Sequence, residues 1–146
     1  MTALDQANAL LQELGRRAGL DTLSLAPGSY TALQFDDVLV SLRLPESAGT
    51  LDLLATVEIP DGRESDILRD AMRDNGSAAE CGAVLGFDET SRALTLRAAV
   101  PVINTAYPDF EKRLEAFVVL CEQWTERVSA IPVGATDLPP GGAIFA

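Results

Sequence analysis

The chain has 146 residues, 22 acidic against 11 basic, a formal charge of −11 and no histidine. That length is one domain, and 47% hydrophobic with 23% charged residues is an ordinary globular balance able to bury a core without metal or disulfide staples. So negative a surface repels phosphate backbones, which argues against nucleic-acid binding through a basic patch; it favours solubility and attracts basic partners.

The missing histidine removes His-based triads, general bases and metal ligands together. No apolar run reaches the ~18 residues of a membrane span. Residues 1–6 carry neither the basic region nor the apolar stretch of a secretory signal, so the expected location is the cytoplasm.

In chain order, residues 2–18 read as a helix. Leu4, Ala7, Leu11, Leu14 and Ala18 form a three-four stripe, with Leu10 beside it widening the apolar face. Thr2 and Asp5 make a capping box at its start, and Gly19 suits a left-handed stop. After Ala26-Pro27-Gly28, three strands follow at 30–35, 38–44 and 51–59. Alternation puts Val38, Val40, Leu42 and Leu44, then Leu51, Leu53, Ala55, Val57 and Ile59, toward a core. Asp36-Asp37 makes the first turn, and short links imply antiparallel neighbours.

Pro60-Asp61-Gly62 breaks the strand pattern. Residues 64–75 then predict a short helix with Ile67, Leu68, Ala71 and Met72 on its apolar side and Gly76 as its stop; three turns must dock on something to persist. A hairpin follows, 79–88 and 92–102, turning at Glu89-Thr90-Ser91. The last helix, 109–131, carries Phe110, Leu114, Phe117, Cys121, Trp124 and Val128 on one face and Glu111, Lys112, Glu115, Glu122 and Glu126 opposite. Pro108 fits its first turn, with Thr105 or Asp109 as cap. The expectation is a single α+β domain over 1–131, with the first and last helices on one face of an antiparallel sheet, and a flexible Gly- and Pro-rich tail over 132–146.

Chemistry is sparse. Gly82-Ala83-Val84-Leu85-Gly86 lacks the Lys-Ser or Lys-Thr of a phosphate loop and reads as close strand packing. Asp36-Asp37 is better explained by a turn than by a cation, and Lys112 has nothing nearby to desolvate it. Cys81 and Cys121, 40 positions apart, show no CxxC spacing; they could form a disulfide, but two cysteines in a cytosolic protein are usually reduced and buried. No catalytic residue, metal site or cofactor is predicted. What is left over is apolar surface: Tyr30, Leu39 and Leu54 on outward strand phases, Leu10 beside its stripe, and Ile67, Leu68 and Met72 on the short helix. Apolar residues that a core does not absorb mark a partner site.

The ordered set of motifs resembles the class I type III secretion chaperones, the Tir-chaperone or CesT-like family. The resemblance runs through Leu10-Leu11-Gln12-Glu13-Leu14-Gly15 and Gly19-Leu20, and through Leu33-Gln34-Phe35-Asp36-Asp37 with the strand after it. It continues in the hairpin from Gly86-Phe87-Asp88 to Leu94-Thr95-Leu96, and ends in Phe110, Leu114-Glu115-Ala116-Phe117-Val118 and Trp124. It implies an α-β-β-β-α-β-β-α homodimer in the bacterial cytoplasm. Such a protein binds an N-terminal segment of a secreted effector without ATP and keeps it soluble and ready for export. It also implies that the second helix, with the hairpin strand next to it, builds the dimer, which gives Ile67, Leu68 and Met72 a partner. The family carries no strict site motif, so the effector-binding residues Leu10, Tyr30, Leu39 and Leu54 rest on helix and strand phase alone. Two other readings stand beside it: an adaptor of the same fold whose client is a secretion-linked regulator of gene expression, and a small-ligand module, which predicts a deep pocket with convergent polar groups.

Overall fold

Strand alternation and helical spacing resolve into α1 (Ala3–Ala18), β1 (Tyr30–Phe35), β2 (Val38–Arg43), β3 (Thr50–Glu58), α2 (Glu64–Glu80), β4 (Ala83–Asp88), β5 (Ala93–Pro101) and α3 (Tyr107–Ala130). The structure, a computed structural model, describes residues 2–20, 23–45, 49–80 and 82–130, the side chains of 76–80 and 130 excepted. Cys81 and the expected tail, 132–146, lie outside the described residues.

The capping box forms as the residue types dictate. The Thr2 hydroxyl accepts from the Asp5 N–H at 3.1 Å, and the Asp5 carboxylate accepts from the Thr2 N–H at 3.0 Å. At the other end Gly19 takes φ 72°, and the Leu20 N–H reaches back to the Gly15 carbonyl at 2.8 Å, closing a Schellman-type turn.

The five strands form one antiparallel sheet in the order β1-β2-β3-β5-β4. The α2 connection carries the chain past β3 to the far edge, and β5 returns into the gap, so β1 and β4 are the edges. One face holds Leu33, Val40, Leu42, Leu53, Leu85, Leu94 and Leu96, all buried. All six residues of the α3 stripe are at most 3% exposed, and α3 lies across β2, β3 and β5 with α1 beside it. Ala7, Leu10, Leu11 and Leu14 of α1 enter the same cluster. The expected α+β architecture, with first and last helices on one face, is the one observed.

Three local expectations change. The second helix does not stop at Gly76 but runs to Glu80, and β4 accordingly starts at Ala83 rather than four residues earlier. A glycine inside a helix costs only about 1 kcal/mol, and a tertiary contact just before it outweighs that cost. The Asn75 side chain accepts from the Leu85 N–H at 2.8 Å and donates to the Leu85 carbonyl at 3.2 Å, docking α2 on the β4 edge. The reversal falls instead at Gly82, with φ 74°. The last helix starts at Tyr107, and the Ala106 carbonyl accepts from the Asp109 and Phe110 N–H groups. Neither expected residue occupies the cap: the Thr105 hydroxyl donates to the Ile103 carbonyl at 3.3 Å, and Asp109 lies within the first turn, where its charge suits the helix dipole.

Two ion-pair groups orient α2. Arg127 of α3 reaches Asp74 and Asp70 while its guanidinium lies 4.1 Å over the Trp124 ring. Arg92, in the β4–β5 turn, pairs with Glu64 at the start of α2.

Phe117→Ala should lower stability by roughly 3–5 kcal/mol, through lost transfer energy and the cavity left behind. A urea titration would show it as a fall in midpoint, against a near-neutral exposed control such as Lys112→Ala. Burial pushes the Cys121 thiol up to about 12. Iodoacetamide at pH 8 should therefore leave the Cys121 peptide unmodified in the native protein and label it after denaturation, as read by peptide mass mapping.

Candidate functional site

Because the first and last helices bury one face of the sheet, the other face is left open among the described residues. It carries the outward residues of every strand, and the register sorts them into rows. Tyr30, Arg43, Asp52 and Ala99 form one; Ala32, Ser41, Leu54, Arg97 and Val84 form the next; Gln34 and Leu39 begin a third. Tyr30 is 69% exposed, Leu39 55% and Val84 60%. Three large apolar side chains on one sheet face, facing water, are the feature that requires explanation.

Between the rows is an open concavity of about 400 Å³ lined by Tyr30, Ser41, Arg43, Asp52, Leu54 and Arg97. Arg43 and Asp52, directly opposite across β2 and β3, approach to 3.5 Å. Among the described residues Arg97 has no ion-pair partner.

The structure thus brings together two of the four residues expected to bind a partner, Tyr30 and Leu54, and sets Leu39 further along the same face. Leu10 is not with them. It is 7% exposed and packed in the core with Ala7, Leu11 and Leu14, whereas Leu4 and Ala18 at the two ends of the expected stripe are half-buried and exposed. The three expected interface residues of α2 also divide. Ile67 is fully buried, Leu68 is half-buried, and Met72 is 78% exposed. Arg43 and Ser41 share the outward phase of Leu39, so alternation could have found them. Arg97 and Val84 join the site only through the β3-β5-β4 register, which no local pattern displays.

Catalytic chemistry has little to work with. Tyr107 is pushed up to about 12 by burial and by donating to Glu111 at 3.0 Å; Arg16 and Arg17 hold Glu13 down at about 2. With the Cys121 thiol, these are the groups moved furthest, and each moves away from neutrality. Among the described residues no three His, Cys, Asp or Glu side chains stand together as metal ligands would. No described helix is long and apolar enough to cross a membrane. A second depression, about 550 Å³ and also open, is lined by Glu58, Ile59, Pro60, Asp61, Glu64, Ser91 and Arg92, with its one cation paired to Glu64. Gly86 has the packing role read for it: a Cβ there would lie 2.9 Å from the Thr95 hydroxyl oxygen.

Comparison with known proteins gives this surface a context. No curated protein sequence matches the chain. Among solved structures, a chain of the ExsC–ExsE complex matches with a TM-score of 0.75 and 27% identity, over 90% of this chain and 100% of that one. A chain of the HopA1–SchA chaperone–effector complex matches at 0.65 and 18%, over 83% and 94%. A chain of the ExoT–SpcS complex from Pseudomonas aeruginosa matches at 0.60 and 22%, over 81% and 96%. The last two show the shared fold. Residues 9–125 match the model of the Tir chaperone protein (CesT) family. With most of its length matched and a sheet left open on one side, the chain belongs to the Tir chaperone (CesT) family, chaperones of type III secretion rather than enzymes.

Proposed function

We propose that this chaperone holds an extended N-terminal segment of a secreted effector on the open face of its sheet, keeping the client soluble and export-competent without ATP. The observation that carries this reading is the set of apolar side chains on the face that the helices leave bare, Tyr30, Leu39 and Val84 exposed and Leu54 half-buried among them. A holder of unfolded chain needs apolar surface and main-chain partners rather than a reactive group. The β1 edge offers the second, since among the described residues β1 pairs with β2 alone. A charge of −11 keeps such a surface in solution. The ExsC–ExsE and HopA1–SchA structures, both complexes, support the reading by likeness. Leu10 contributes from beneath, as core. The cytoplasm of a bacterium is the proposed location.

The working unit is a homodimer built on α2. Met72, with Leu68 beside it, is the apolar contact of that interface, and Ile67 holds the helix to its own subunit. Arg69 and Arg73 flank Met72 and form its polar rim, paired to Asp66 and Asp70.

Co-expression with the adjacent gene, followed by native mass measurement, tests both parts. A dimer carrying one neighbouring chain is expected, and the identity of that chain separates an effector from a secretion-linked regulator. Leu39→Asp or Leu54→Asp should weaken client binding about tenfold or more, the worth of burying one leucine, and leave the dimer intact. Retained binding in both variants would move the client elsewhere. Met72→Asp should yield monomer; an unchanged dimer would remove α2 from the interface.

A further inference from the structure

We infer that the open face selects a client segment in which an acidic side chain lies between apolar ones, and that Arg97 is the residue that reads it. This rests on the reading above, that the face holds an extended segment.

The register places Arg97 between Leu54 on β3 and Val84 on β4, so a cation stands between two apolar side chains. In the adjacent row Arg43 already faces Asp52 at 3.5 Å. The concavity therefore holds two guanidinium groups and one carboxylate, and the surplus positive charge belongs to Arg97. Its aliphatic stem can lie along Leu54 or Val84 while its planar guanidinium presents paired donors suited to a carboxylate.

The geometry suits an extended occupant. Neighbouring strands are about 4.8 Å apart, and alternate residues of an extended peptide about 6.7 Å apart. A segment crossing β3, β5 and β4 therefore sets a carboxylate over Arg97 with its second neighbours on either side within reach of Leu54 and Val84. The pattern is apolar-x-acidic-x-apolar.

Net charge predicts the opposite preference. A protein of charge −11 repels an acidic peptide and attracts a basic one at long range. At physiological salt the Debye length is about 8 Å, so remote charges are screened and the contact pair decides affinity. Local and global electrostatics thus disagree in sign, which makes the inference sharp.

The test uses the full-length protein and three fluorescent peptides with the core Leu-Ser-X-Ser-Leu, X being Asp, Ser or Arg, read by anisotropy at physiological salt. The Asp peptide should bind roughly fivefold tighter than the Ser peptide, with the Arg peptide weakest. Arg97→Gln should level the series and Arg97→Glu should invert it, with an unchanged urea midpoint confirming the fold. Equal binding of the Asp and Arg peptides, or preference for Arg, overturns the inference. If all three bind too weakly to rank, the co-expressed client decides: capture lost in Leu39→Asp but untouched in Arg97→Glu removes the acidic reading and leaves the chaperone reading standing. Failure to capture any client would remove the chaperone reading itself. A dimer that Arg97→Glu turns into monomer would assign the face to a second copy of the chain and also overturn the inference.

Discussion

Burial of the α3 stripe against the sheet is the interaction on which the rest depends. Phe110, Phe117 and Trp124 are together almost wholly removed from water, and large aromatic side chains contribute more to a core than any other type. Each is worth upwards of roughly 1.5–3 kcal/mol of transfer free energy. They meet β2, β3 and β5, the three strands interior to the sheet, so a single helix braces its centre. Since α1 packs alongside α3, the helices together cover one face. The open face is the geometric consequence of an α+β chain with helices enough for one side.

That asymmetry extends to the sheet edges. At β4 the Asn75 amide satisfies both main-chain groups of Leu85, and α2 lies along the strand. At β1 the strand pairs with β2 only, among the described residues. An unguarded edge is a hazard in most proteins and a template in those that bind extended chains. On the proposed reading such an edge has a use, and the high negative charge limits its liability by disfavouring edge-to-edge pairing.

The charges fall into two kinds. Around α2 they bind elements to each other: Arg127 to Asp70 and Asp74, Arg92 to Glu64. Most of these pairs are exposed and contribute little apiece, so they orient α2 rather than hold the fold together. On the open face, charge is set among apolar side chains, where a bound segment would strip away water and strengthen it. Arg97 belongs to this second kind, and on that position its proposed role depends.

Periodicity is local, and what it controls was legible in the order of residues. The α3 stripe, the Thr2 and Asp5 box, the Gly19 stop and the inward phase of each strand all follow from spacing within one element, because a helix turns every 3.6 residues and a strand every two. The family likeness was legible for the same reason, resting on core and turn residues in a fixed order. The continuation of α2 through Gly76 was not, since a glycine reads as a stop until Asn75 is seen to anchor on Leu85. Nor could phase tell that Leu10 and Ile67 are buried while Met72 is bare: an amphipathic face shows which way a side chain leans, and only the neighbours it meets decide whether water is excluded. The open face itself, with Arg97 between Leu54 and Val84, comes from residues 13 and 43 positions apart in sequence order. Strand pairing over such distances is a property of the folded chain, and it alone decided where the candidate site lies.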